Sequence, residues 1–209
     1  MELVASVRNL AKEEQLLTAG FSKAILEKTV VCKLKRLSPC NPKVRGIIGM
    51  TFLDHKSQLV RDKAISHILT GRIEVPAITL GKALGLGSTQ LPMTLVSKMS
   101  ALVNDKELLA IFLQVKTSAG NPASINFLQS YMNYVPEISP QDFDIAPILL
   151  TQPDADKWTP YELGRPILNH ISTVPVEVVH LPNCSHYPVE NKALRVMNDS
   201  IDRFIKAHL

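Results

Sequence analysis

Three residues of this 209-residue chain are of the types that make a nucleophilic triad, in the chain order serine, acid, histidine: Ser22, Asp156 and His186. A serine hydroxyl is a weak nucleophile until a histidine takes its proton. The histidine in turn needs a carboxylate to hold its ring and to stabilise the imidazolium. Ser22 sits in "LLTAGFSKAIL" (16–26), which reads as a strand, a tight turn at the serine and then a helix. Gly20-Phe21-Ser22-Lys23-Ala24 approximates the G-x-S-x-G elbow that lifts a serine out of a strand–turn–helix bend, with Lys23 and Ala24 where small residues are expected. The other reading of Ser22 is an ordinary turn serine.

The acid and the base follow two apolar runs near the C-terminus. "APILLTQ" (146–152) leads into "PDADKWTP", which offers Asp154 and Asp156; "VPVEVVHLP" (174–182) leads into "NCSHYP", which offers His186. Functional groups in an open parallel sheet gather at the carboxyl ends of its strands, and both clusters stand at such ends. Asp156 is alternatively a turn or helix-capping acid before Trp158, and His186 a loop histidine bonded to backbone. Cys184 lies two residues before His186, too near for the geometry of a thiol–imidazole pair. "DADK" with one histidine lacks convergent ligands, so no metal site is expected. His170 and His180 fall on a helix end and a strand and receive no role.

The elements that must position these groups are clearest in the last third. The β-branched and apolar runs at 146–152 and 174–182 read as buried strands. "TPYELGRPILNHI" (159–171) reads as a helix, with Thr159 as cap and Pro160 at its first position. From 190 onward Leu194, Met197, Ile201, Phe204 and Ile205 form one apolar stripe opposite Arg195, Asp199, Asp202 and Lys206, as in an amphipathic closing helix. Strand, helix, strand, helix implies a parallel sheet covered by helices.

Further upstream, "KVRGIIGMTFLD" (43–54) reads as a strand followed by a loop, and residues 2–15 show helix-like spacing. The stretch from about 59 to 140 is helical in character. "PMTLVSKMSALVNDKELLAIFLQ" (92–114) is its strongest part, with a break and a new cap near Asn104-Asp105. "GKALGLGST" (81–89) lacks the lysine and hydroxyl placement of a phosphate loop and reads as a turn.

Composition limits the function classes. Hydrophobic residues make up 45% and charged residues 20%, with a net charge of +4, which is ordinary for a folded domain and carries no signature of nucleic acid. The basic residues between Lys28 and Arg45 are interleaved with no aromatic to stack on bases. Three cysteines without a C-x-x-C pair point away from a disulfide framework and towards a reducing cytoplasm. No stretch approaches the roughly 20 apolar residues of a membrane span.

"APILLTQPDADKWTP" and "VVHLPNCSHYPVEN" together resemble the C-terminal half of the α/β-hydrolase superfamily, in its serine esterase and lysophospholipase-like branches. "NPKVRGIIGMTFLD" resembles the strand after the nucleophile helix, and "SAGNPASINFLQSYMNY" resembles part of a lid. The resemblance spans about residues 41–209. It implies an α/β fold with a partial doubly wound, mostly parallel sheet and a helical lid insertion. Residues 1–58 would begin the core, 59–140 would form the lid and 141–209 would complete the core. Carried over residue by residue, it makes Asp156 the acid, with Asp154 as second choice, His186 the base and Ser22 the nucleophile. The backbone N–H of Lys23 becomes an oxyanion donor.

Residues 1–21 are too few for the strands and oxyanion turn that precede the elbow in this fold, which implies a domain lacking its front. The exposed sheet edge left behind would invite self-association into a homo-oligomer. The implied activity is cleavage of a small-molecule carboxylic ester, acyl or lipid-like, with no cofactor. Apolar residues between 59 and 135, among them Met93, Met99, Phe112, Phe127 and Tyr131, line an acyl pocket or form the lid's own core. The implied alternative is a remnant that binds or self-associates without catalysis.

Overall fold

The computed structural model describes residues 4–7, 23–26, 44–54, 57–64, 71–115, 122–136 and 138–208, with the first two segments, Ala64 and residues 71–75 as backbone. In chain order its elements begin with strands β1 (Val4–Val7), β2 (Lys23–Leu26) and β3 (Ile47–Gly49). Helices α1 (Gln58–Ala64) and α2 (Gly71–Ala83), strand β4 (Gln90–Pro92) and the single turn α3 (Met93–Val96) follow. Then come α4 (Lys106–Gln114), β5 (Pro122–Ser124) and α5 (Ile125–Met132). The chain ends with β6 (Ile148–Pro153), α6 (Tyr161–Leu168), β7 (Val176–Leu181) and α7 (Asn191–His208).

Strands β3, β6 and β7 form a parallel sheet in the order β3-β6-β7, with Ile47 opposite Ile148 and Ile148 opposite Val176. The middle strand, Ile-Leu-Leu-Thr-Gln-Pro, is buried at all six positions. This explains its continuous apolar run, because a central parallel strand is covered on both faces. Each leucine of that run contributes about 1.5–3 kcal/mol by leaving water. β7 is only partly buried. It carries Glu177, which pairs with Arg203 of α7 across an exposed surface.

Helix α7 packs on β7 and β6 through Ala193, Ser200 and Phe204, so the predicted stripe is present with its centre rotated slightly towards the small residues. Gly46, just before β3, makes room for this helix: a Cβ there would lie 2.6 Å from the Phe204 ring. A further cluster of Ile47, Ile138, Phe143, Ala146 and Ile148 fills the space beside the sheet.

Between β3 and β6 the chain is helical, as expected, and adds a two-stranded antiparallel ladder, β4–β5, that the sequence reading lacks. Three-residue strands containing Pro92 and Pro122 carry too little alternation to be legible. This segment has its own core of Ile78, Val96, Ala123, Ile125, Leu128 and Met132. The predicted cap near Asn104-Asp105 is present. The Asp105 carboxylate accepts from the backbone N–H groups of Glu107 and Leu108 and starts α4.

Two readings at the N-terminal side are corrected. The helix-like spacing of 2–15 gives way to strand at Val4–Val7, and the helix expected directly after Ser22 is strand β2, paired in parallel with β1. Val4, Val7, Ile25 and Leu26 fit a pleated surface as well as a helix face, and short apolar runs do not distinguish the two.

Helix α6 approaches the loop after β3 so closely that a Cβ on Gly164 would lie 2.9 Å from the carbonyl oxygen of Phe52. Alanine in a helix interior normally gains about 1 kcal/mol over glycine. Here a backbone clash of about 1–3 kcal/mol outweighs that gain. Gly164→Ala is therefore expected to lower stability, read as an earlier midpoint in urea unfolding; an unchanged or later midpoint would show that the contact is loose.

Candidate active site

The ends of β6 and β7 turn into loops that hold each other. The backbone N–H of Asp154 donates to the Leu181 carbonyl, and that of Ala155 to the Cys184 carbonyl, both at 3.0 Å. Asn183 takes a left-handed φ of 52°, which asparagine tolerates, and redirects the chain into Cys184-Ser185-His186. Buried Gln152 donates to the carbonyls of Pro153 and Thr159, fastening both ends of the acid loop. Glu190 accepts from the Ser185 N–H and hydroxyl and from the Val189 N–H, fastening the histidine loop.

These loops bring Asp156 and His186 together. His186 Nδ1 lies 2.8 Å from Asp156 Oδ2, and the two side chains are 1% and 0% exposed. The carboxylate is fully engaged. Oδ1 accepts the backbone N–H groups of Trp158 and Thr159, and Oδ2 accepts the Thr159 hydroxyl, each at 2.8 Å. Thr159 Oγ1 also stands 3.0 Å from His186 Nδ1. Since Oδ2 is an acceptor, the network assigns the imidazole proton to Nδ1 and leaves Nε2 with a lone pair. Nε2 is buried and has no hydrogen-bond partner among the described residues.

Burial works to raise the Asp156 pKa. The hydrogen bond from His186 and the charge that ring carries when protonated, then the two donors of Thr159, more than offset it, and the carboxyl titrates below its usual range. Trp158 meets the His186 ring edge-on at 4.6 Å, and Tyr187 flanks it at 5.7 Å. Met99, Leu102 and Val103 pack on Trp158, Tyr187 and Val189 and screen the pair from water.

Of the residues the sequence nominated, Asp156 and His186 therefore meet. Asp154, the second choice, does not: its carboxylate bonds His180 on the exposed side, at 2.8 Å. Cys184 is buried, and desolvation together with nearby Glu190 pushes its thiol up to about 12, so it stays protonated and inert. Ser22 lies outside the described residues. Lys23 opens β2, where only its backbone is described. The capping reading of Asp156 and its pairing with His186 prove compatible, because one oxygen serves the turn and the other serves the ring. The sequence suggests Thr159 as a helix cap; helix α6 starts without a side-chain cap, and the hydroxyl goes to the Asp–His pair instead. Its spacing three residues after Asp156 was the available signal. Among the described residues no group of three or more His, Cys, Asp or Glu could hold a metal ion, and no helix is long and apolar enough to cross a membrane.

No protein-family profile and no curated protein matches the chain. Solved structures do. A soluble variant of monoglyceride lipase from Saccharomyces cerevisiae, in complex with a substrate analogue, superposes with a TM-score of 0.60 at 12% identity, covering 95% of this chain and 66% of that one. Monoacylglycerol lipase from Paleococcus ferrophilus gives 0.56 at 12% identity, covering 98% and 93%. A hypothetical protein from Pseudomonas aeruginosa gives 0.52 at 16% identity, covering 84% and 57%. The chain thus spans just under two thirds of the yeast protein and less of the Pseudomonas one. At these identities the likeness speaks for architecture, and the architecture is that of the α/β-hydrolase fold.

An unfolded aspartate titrates near about 3.9 and the folded Asp156 below that, so the folded state binds fewer protons across this window. The stabilisation by the ionised carboxylate is complete above about pH 4 and is lost as pH falls through the folded pKa. Asp156→Asn is expected to lower stability most at pH 7, with the gap to the parent closing below pH 4 in urea titrations. Thr159→Val removes one donor to the carboxylate and is expected to cost about 2 kcal/mol at pH 7 while moving the acid transition upward. A pH-independent effect in both variants would contradict the assignment.

Proposed function

We propose that the protein is a serine hydrolase that cleaves carboxylic esters of acyl or lipid-like compounds, with Ser22, Asp156 and His186 as its triad. The observation that carries this reading is the buried Nε2 of His186, without a hydrogen-bond partner among the described residues, behind an Nδ1 tied to Asp156. A loop histidine with a structural role alone has no reason to bury a bare lone pair. Nε2 would take the Ser22 proton as the hydroxyl oxygen attacks the ester carbonyl carbon, and Asp156 would stabilise the imidazolium. Collapse of the tetrahedral oxyanion would expel the alcohol, which takes that proton. Water, deprotonated by the same Nε2, would then release the acid and restore the serine. The Lys23 backbone N–H would serve the oxyanion.

An apolar substrate fits the surroundings of the base, where Trp158, Tyr187 and the stacked Phe112 present hydrocarbon. The two lipases with the same architecture act on monoacylglycerols by name, which agrees with this class. The helical segment between β3 and β6 would be the lid. A second reading, in which the protein binds without catalysis, is favoured by one observation. Residues 23–26 are strand, whereas an elbow needs a helix directly after its serine.

A fluorophosphonate probe separates the two. The hydrolase reading predicts an adduct on Ser22, located by mass spectrometry and lost in His186→Ala, with ester kcat/KM falling by about 10⁴-fold or more in that variant. A folded protein that takes no adduct is a binding module.

A further inference from the structure

Asp156 and His186 stand on separate loops that bond each other through the backbone at Asp154 and Ala155, and a segment from the helical region between β3 and β6 bridges them a second time. We infer that Asn104 is a positioning residue that clamps the acid loop to the histidine loop and so sets the Asp156–His186 geometry. Its side-chain Nδ2 donates to the carbonyl of Ala155, the residue before Asp156, at 3.0 Å. Its backbone N–H donates to the hydroxyl of Ser185, the residue before His186, at 3.1 Å. Two positions earlier, the Leu102 carbonyl accepts the N–H of Tyr187, the residue after His186, at 2.9 Å. One short stretch therefore grips the immediate neighbours of both functional residues.

The grip is reinforced on either side. Leu102 and Val103, each 2% exposed, pack with Met99 into the cluster that contains Trp158 and Tyr187. Phe112 of α4 stacks on Tyr187 at 5.3 Å with an interplanar angle of 2°. Ser185 cannot swing away, because Glu190 holds its hydroxyl and its N–H. A hydrogen bond between two loops constrains their separation only while both ends are anchored, and here both are. Of these hydrogen bonds, the Asn104 amide supplies the one side-chain donor that reaches the acid loop from the stretch that also grips the histidine loop. Loss of its donor leaves the acid loop joined to the histidine loop by the backbone bonds of Asp154 and Ala155 and loosens Asp156 relative to the ring, and a misplacement of about 1 Å is enough to weaken a proton-transfer geometry severely.

This inference rests on the reading of Asp156 and His186 as a functional pair, but its test does not need turnover. The exchange rate of the His186 Nδ1 proton with water, measured by NMR, reports how often the Asp–His bond opens. Asn104→Ala removes the donor; Asn104→Asp keeps the shape and removes the donor, and it carries the test if the alanine variant fails to fold. The clamp predicts exchange about ten-fold faster at His186 in a folded variant, the worth of one such bond. The backbone amides of Leu149 and Leu150 in β6 should keep their parental rates. Equal acceleration at His186 and at the β6 amides would reduce Asn104 to a general stabiliser and overturn the inference, as would unchanged exchange at His186. If the proton depends on Asn104 while no ester is cleaved and no probe binds, the hydrolase reading fails and the clamp stands.

Discussion

The hydrogen bond from His186 Nδ1 to Asp156 Oδ2 is the interaction around which the described structure is arranged. An ionised carboxylate with no exposed surface is costly unless every lone pair is engaged. The chain meets that requirement locally, with the two backbone N–H groups and one hydroxyl that follow within three residues of Asp156. The fourth partner comes from a different strand end. The acid loop is thereby self-satisfied as far as it can be, and it depends on the neighbouring strand for the rest. Parallel pairing of β6 and β7 places the two strand ends side by side, and the backbone bonds between their loops keep those ends close enough for a carboxylate and an imidazole to meet.

The apolar surroundings follow from the same constraint. The buried His186 ring is flanked by Trp158 and Tyr187, and these in turn are covered by the stretch around Leu102 and Val103. The helical segment between β3 and β6 thus contributes to two cores. One is internal, around Ile78 and Leu128; the other is shared with the acid and histidine loops. Asn104 lies at the edge of the second, where polar contacts to the loops replace apolar ones.

Much of this was legible in the sequence. Parallel strands follow from β-branched runs that end in polar turns, the closing helix from its apolar stripe, and the choice of Asp156 as the partner of His186 from the α/β-hydrolase resemblance. Those signals are local and strong. Thr159, Asn104 and Glu190 were not legible as site residues, because a threonine before proline, an asparagine at a helix break and a glutamate at a helix start all have local roles that account for them. For Asn104 the partners are supplied by the fold, since it reaches residues 51 and 81 positions away. The short proline-bearing ladder and the strands near the N-terminus were misread for a related reason, since three or four residues hold too little periodicity to oppose a helical reading. Asp154 illustrates the converse. Two acids stood beside one another, and only the register of β6 against β7 gives His180 to one and His186 to the other.

The central claim is that His186 presents a lone pair on Nε2 because Asp156 holds the proton on Nδ1. Long-range ¹H–¹⁵N correlation NMR on the ¹⁵N-labelled protein at neutral pH measures the tautomer directly. The account predicts a proton on Nδ1 and a bare Nε2 for His186, with the pattern lost in Asp156→Asn. A proton resting on Nε2 would make the ring a donor where a base is required, and would contradict it.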